Sequence, residues 1–233
     1  MIRCLIALAL ACCATAGRAG ADSAPRACVA ADPAPARLAV DEQGAAMKVA
    51  RCVHYADRGG EYQLYLLDTE DRRDGDDTMS GSLAAQLFKR QPDGTLVQRW
   101  VLHDRIGEGE AGAWFSRRLT EFPDLDGDGT ITPVLVLRFV PFEDGDPHRA
   151  VDAGPFAGRL KIILFRGDTK VAIRAVTGSL DDERHTTATD SFFALPKAQQ
   201  RHVQRKLREW TELQVFVSDD NHGTFMPRRE KKR

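Results

Sequence analysis

The run Val134 to Val140 is apolar on both of its alternating sides, with Arg138 as the exception. A strand of that composition is covered on both faces, so a chain that contains it needs a layer above and a layer below. Other segments alternate more cleanly and are separated by turn signals. Val49, Val53 and Tyr55 alternate with more polar neighbours, and after Gly59-Gly60 the pattern resumes through Tyr62, Leu64 and Leu66. Leu83 to Arg90 and Thr95 to His103 flank Pro92-Asp93-Gly94, a fixed φ followed by a turn-forming acid and a glycine. Leu160 to Phe165 and Val171 to Val176 flank Arg166-Gly167-Asp168-Thr169 in the same way. Trp114 to Phe122 reads as a further strand, and Leu213 to Val217 as a last one. Only one helix is expected, near residues 196–212, where Pro196 suits the first turn and Val203, Leu207 and Trp210 form a narrow apolar stripe. The predicted fold class is mainly β: an antiparallel sheet or sandwich built from hairpins, with one C-terminal α-helix, as a single domain over residues 47–218.

Immediately before the apolar run stands Asp124-Leu125-Asp126-Gly127-Asp128-Gly129. Three alternating aspartates with two glycines reproduce the first half of a calcium loop, with a backbone carbonyl expected from Thr130 at the seventh position. The ninth position, which often supplies a ligand, is Thr132, and the twelfth, where a helix-loop-helix site has a bidentate Glu, is Leu135. The loop therefore feeds a strand. The expected metal ligands are Asp124, Asp126, Asp128, Thr130 and Thr132, holding calcium at affinities of about 10⁻⁴ to 10⁻³ M. Glu143, Asp144 and Asp146 are candidates for a missing ligand. The competing reading is an Asp-Gly turn whose acids cap backbone N–H groups.

Residues 1–21 have the form of a secretory signal: Arg3 supplies charge, Cys4 to Cys13 a short apolar region, and Ala19-Gly20-Ala21 a small-residue cleavage pattern. Lipid anchoring at Cys13 is a second reading. Nothing later in the chain is apolar for long enough to be a membrane helix. With Cys4, Cys12 and Cys13 in that segment, Cys28 and Cys52 remain and are expected to form a disulfide in an oxidising compartment. Otherwise Cys28 lies in a leader and Cys52 is an ordinary strand residue. Residues 22–46, rich in Ala and Pro, read as a flexible leader, and residues 219–233 as a charged, disordered tail.

The balance of 33 Lys and Arg against 34 Asp and Glu gives no reason to expect a polyanionic partner, so nucleic acid is not expected. Gly107-Glu108-Gly109-Glu110-Ala111-Gly112 matches a dinucleotide-binding pattern in letters only, since two glutamates would repel a pyrophosphate. No His-x-x-x-His, His-Glu-x-x-His or Gly-x-Ser-x-Gly spacing occurs, so no catalytic constellation is legible.

Over roughly residues 114–210 the order of segments resembles a family of exported bacterial proteins loosely linked to surface polysaccharide biosynthesis. The resemblance is carried by the Asp124 to Gly129 loop before a buried strand, by Leu160 to Arg174, and by Phe192-Phe193 leading to the helix that holds Trp210. Thr132 stands where that family has an acidic residue, and Ala175 where it has a glycine. The resemblance implies export and a place in the cell envelope. The expected function is an envelope binding or accessory protein with a structural calcium loop and an envelope glycan or envelope protein as partner. The alternative is a hydrolase acting on envelope polysaccharide through loop carboxylates.

Overall fold

The computed structural model describes residues 24–74, 77–143, 146–150, 154–218 and 227–230. The expected signal over residues 1–21, with Cys13, lies outside them. The chain is mainly β. Strands β1 (Arg26–Ala27), β2 (Lys48–Asp57), β3 (Gly60–Asp68), β6 (Ser82–Arg90) and β7 (Leu96–Arg105) form a five-stranded sheet in the order β1-β2-β3-β6-β7. A short pair, β4 (Arg72–Asp74) and β5 (Asp77–Met79), occupies the segment between β3 and β6. The second sheet runs β10 (Asp146–Ala150), β9 (Leu135–Glu143), β11 (Arg159–Arg166), β12 (Thr169–Val176), β13 (His185–Ala188) and β14 (Arg228–Arg229), with β8 (Glu110–Phe115) also paired to β9. The helices are α1 (Asp190–Phe193) and α2 (Lys197–Glu212).

The sheets pack face to face, and alternation decides what each face buries. Tyr55, Leu64, Leu66, Leu83, Leu87, Trp100 and Leu102 of the first sheet meet Phe115, Leu135, Leu137, Phe139 and Ile163 of the second. The opposite face of the second sheet, with Val136, Leu160, Ile162, Leu164, Val171 and Ile173, is covered by Phe192, Val203, Leu207, Trp210 and Phe216. This explains the doubly apolar run: β9 is buried between the other sheet and the helical layer. Arg138 is tolerated there because Nη2 donates to the carbonyls of Gly154 at 2.7 Å and Ala157 at 2.6 Å, and its guanidinium lies 4.8 Å from the Phe216 ring centre. Burial lowers its pKa to about 10. Burying each of Val203, Leu207 and Trp210 contributes roughly 1.5 to 3 kcal/mol, which is what holds α2 on the sheet.

The three hairpins form where the turn chemistry places them. Four expectations are corrected. The strand expected over Trp114 to Phe122 ends at Phe115, because the Leu119 and Thr120 N–H groups fold back on the Ser116 carbonyl and close a turn without Gly or Pro. Its beginning lies earlier, in the Gly107 to Gly112 stretch. A Cβ on Gly112 would sit 2.5 Å from Met79 Cβ, so close packing accounts for that glycine. Leu213 to Val217 is not a strand: the Val215 N–H bonds the Trp210 carbonyl and the Val217 N–H the Pro155 carbonyl, wrapping the chain over the end of α2. The leader is bound rather than loose from residue 24 onward. β1 pairs with β2, Cys28 and Cys52 are joined in a disulfide with Cα atoms 5.4 Å apart, and Leu38 and Ala39 cover the outer face of the first sheet at Tyr65, Leu67 and Phe88. In the expected tail, Arg228–Arg229 forms β14 parallel to β13, while residues 219–226 and 231–233 lie outside the described residues.

Candidate functional site

One end of the sandwich carries a half-open cleft of about 210 Å³. Five parts of the chain build it: the adjoining ends of β2 and β3, the strands β6 and β7, the acidic loop, the turn between β11 and β12, and the first turn of α2. Two stacked aromatic pairs are among the residues that line it. Tyr62 stacks on the buried Tyr55, with centroids 5.2 Å apart, and Phe165 stacks on Trp100 at 4.1 Å and an interplanar angle of 8°. Tyr62 and Phe165 are half-buried, while Tyr55 and Trp100 are buried. Burial, reinforced by Asp57, raises the Tyr62 hydroxyl above its ordinary pKa, so it remains a neutral hydrogen-bonding group at physiological pH.

The rim is charged. Asp57, Asp126, Asp128 and Asp168 line it together with Arg99 and Arg166. Arg99 and Asp168 pair loosely at 3.9 Å. Three of the aspartates hold the cleft wall in place. Asp57 Oδ1 accepts the Gly59 N–H at 2.6 Å and its Oδ2 the Ile131 N–H at 3.0 Å. Asp128 Oδ1 accepts the Thr130 N–H at 2.8 Å, and Asp126 Oδ2 accepts Gln199 Nε2 at 2.7 Å.

The expected metal ligands separate into two roles. Asp126, Asp128, Thr130 and Thr132 line the cleft, whereas Asp124 turns toward the loop backbone. Its Oδ2 accepts the Gly129 N–H at 2.8 Å, and its Oδ1 accepts Gly127 at 2.8 Å and Asp128 at 3.2 Å. The Gly129 bond first, with the others of the loop, holds the Asp124 carboxyl below the ordinary carboxylate range against the opposing effect of burial. Gly127 and Gly129 have φ of 69° and 81°, which is the conformation that lets three consecutive N–H groups turn onto one carboxylate. The Thr132 N–H closes the neck of the loop on the Pro123 carbonyl at 2.9 Å, and the Arg58 N–H reaches the Gly129 carbonyl at 2.8 Å. Among the described residues no three of His, Cys, Asp and Glu form a group able to hold a metal ion, so oxygen ligands of other kinds would have to contribute.

Glu143, a candidate for a missing ligand, is at the wrong end of β9. That strand is nine residues long, which puts its ends about 25 Å apart at the rise of a β-strand. The same strand carries Asp146 away from the loop through its pairing partner β10, and Asp144 lies outside the described residues.

No known protein family, curated protein or solved structure matches this chain. The site therefore rests on its own chemistry. Tyr62, Trp100, Phe165, Asp57 and Gln199 are residues that sequence reasoning missed. Their local signals were strand periodicity for the aromatic residues, a turn acid for Asp57 and a helix amide for Gln199, all shared by ordinary structural residues.

A second cluster fixes α2 beside the cleft. Glu121, three residues ahead of Asp124, meets His202 Nε2 and accepts Lys206 Nζ at 3.1 Å. Burial pushes the Glu121 carboxyl up, and the hydrogen bonds from His202 and Lys206 outweigh it, leaving it below the ordinary range. Farther along the sandwich, Lys161 of β11 and Asp104 of β7 form an ion pair between the sheets, each side chain 9% exposed.

Proposed function

We propose that the protein is an exported binding or accessory component of the cell envelope, and that it takes up a saccharide in the cleft beside the acidic loop. The observation that carries this reading is two stacked aromatic pairs, Tyr62 with Tyr55 and Phe165 with Trp100, lining one cleft together with carboxylates and arginines. A sugar ring presents apolar C–H faces and a girdle of hydroxyls. Rigid aromatic faces suit the first, and ionised side chains that both accept and donate hydrogen bonds suit the second. The Cys28–Cys52 disulfide supports an oxidising compartment, as does the resemblance to exported envelope proteins. No helix among the described residues is long and apolar enough to cross a membrane. In this reading calcium binds the acidic loop and stiffens the cleft wall.

The test is retention of the purified protein on immobilised envelope polysaccharides, compared with the Tyr62→Ala and Phe165→Ala variants. Retention that both variants lose supports the proposal; passage through a broad panel without retention sinks it. A second reading, hydrolysis by two rim carboxylates, draws on the same combination of carboxylates and aromatic side chains. Release of new reducing ends from a polysaccharide that the protein retains would favour it over simple binding.

A further inference from the structure

The outward face of α2 breaks two rules of helix composition. Lys197, Arg201, Arg205 and Arg208 recur at intervals of four, four and three, so they share one face of the helix, and all four are exposed. The opposite face, with Val203, Leu207 and Trp210, is buried on the sheet. The first rule broken is charge alternation. No Asp or Glu occurs between Lys197 and Arg208, and like charges three or four positions apart repel. Among the described residues the stripe finds no carboxylate: Lys197 Nζ donates to Gln200 Oε1 at 3.3 Å, and Arg205 Nη2 meets His202 Nδ1 at 3.0 Å. The ion pairs to Glu121 belong to His202 and Lys206, on the flank of the helix. The second rule concerns the helix dipole. The first turn has no acid and opens with Lys197, a cation at the positive end. An anionic partner relieves both conflicts, and a chain that gives up local consistency in this way does so at functional sites. The near balance of charge over the whole chain hides this local excess.

We propose that this face of α2 docks the protein on a bilayer surface rich in anionic lipid headgroups. From Lys197 to Arg208 the stripe is about 16 Å long at the helical rise. It lies on the convex side of the helix, so a plane of headgroups meets all four cations at once, whereas a single polyanionic chain would need a groove to enclose it. The apolar face of α2 is occupied by the sheet, which makes the contact electrostatic, with Leu213, 58% exposed just past the last turn, as an apolar tip. The inference does not depend on the saccharide reading of the cleft.

The experiment is cosedimentation of the purified protein with vesicles of phosphatidylglycerol and phosphatidylcholine in equal parts, and with vesicles of phosphatidylcholine alone, at low and high salt. The protein is expected to bind the anionic vesicles at low salt, to leave them at high salt and to ignore the neutral ones. Arg201→Gln with Arg205→Gln is expected to bind roughly 25-fold more weakly, about fivefold for each charge removed. Glutamine matches arginine in helix propensity, and a circular-dichroism melt checks that the variant folds. Arg37→Gln with Arg118→Gln removes the same charge from exposed positions elsewhere and is expected to bind like the unaltered protein. Absence of binding to the anionic vesicles overturns the proposal. Equal weakening by both double variants also overturns it, by assigning the attraction to net charge. Retention of a soluble acidic polysaccharide through Arg201 and Arg205, without vesicle binding, overturns it in favour of a glycan.

Discussion

Asp57 Oδ2 accepts the Ile131 N–H at 3.0 Å across 74 positions of sequence, and with it the end of β2 holds the far side of the acidic loop. The same carboxylate caps the β2–β3 turn through Gly59, so one side chain shapes two walls of the cleft. Asp57→Ala removes both acceptors and leaves the part-buried Ile131 N–H unpaired. The expected loss is about 2 kcal/mol in urea denaturation, together with weaker saccharide retention.

The two aromatic pairs should respond differently to truncation. Tyr62 is half-buried, so Tyr62→Ala is expected to abolish saccharide retention with a modest change in melting temperature. Trp100 is buried between the sheets, and Trp100→Ala is expected to cost about 3 to 5 kcal/mol as well as binding. Equal destabilisation by both changes would show that Tyr62 is a core residue rather than a binding face.

Acid should loosen α2. The folded Glu121 carboxyl sits below its ordinary value of 4.5, so its contribution to stability is complete above the ordinary range and is lost as pH falls through the depressed folded value. Thermal melts from neutral pH down to about 3 should show a decline that Glu121→Gln flattens, the variant being less stable at neutral pH by roughly 1 to 2 kcal/mol. A parallel decline in both proteins would assign the acid sensitivity to other carboxylates.

The Cys28–Cys52 bridge closes a chain segment of 24 residues, for which chain entropy gives about 3 kcal/mol. Reduction with dithiothreitol should lower the urea midpoint accordingly, and Cys28→Ser with Cys52→Ser should reproduce the shift without reductant. Because β1 and the covering residues Leu38 and Ala39 are held to the first sheet by this bridge, proteolysis of the reduced protein should begin before residue 47.

The hairpins were legible because their causes are local. Pro92-Asp93-Gly94 and Gly167-Asp168 turn the chain wherever they stand, and alternation then fixes which face is buried. The central position of β9 was legible for the same kind of reason, since a run apolar on both sides has no solvent face. What escaped was whatever depends on distant partners. Ser116 to Leu119 turns through backbone hydrogen bonds that no Gly or Pro announces. Residues 24–46 look like a linker in composition and are held by a disulfide and a two-residue strand. At the site, only the aspartate ladder was written into adjacent positions. Asp57 and Gln199 reach that ladder from 74 and 73 positions away, and nothing near either residue distinguishes it from a turn acid or a helix amide.

β14 is two residues long, yet it covers half of the outer edge of β13. Its backbone pairs with Thr187 and Ala188, Arg229 pairs with Asp190 at 2.8 Å and lies over Phe193, and Glu230 meets Arg174. A sheet that ends in unpaired N–H and C=O groups is a template for self-association. The C-terminal segment thus acts as a built-in competitor: it satisfies part of that border from within the same molecule, where a second copy would otherwise find free N–H and C=O groups.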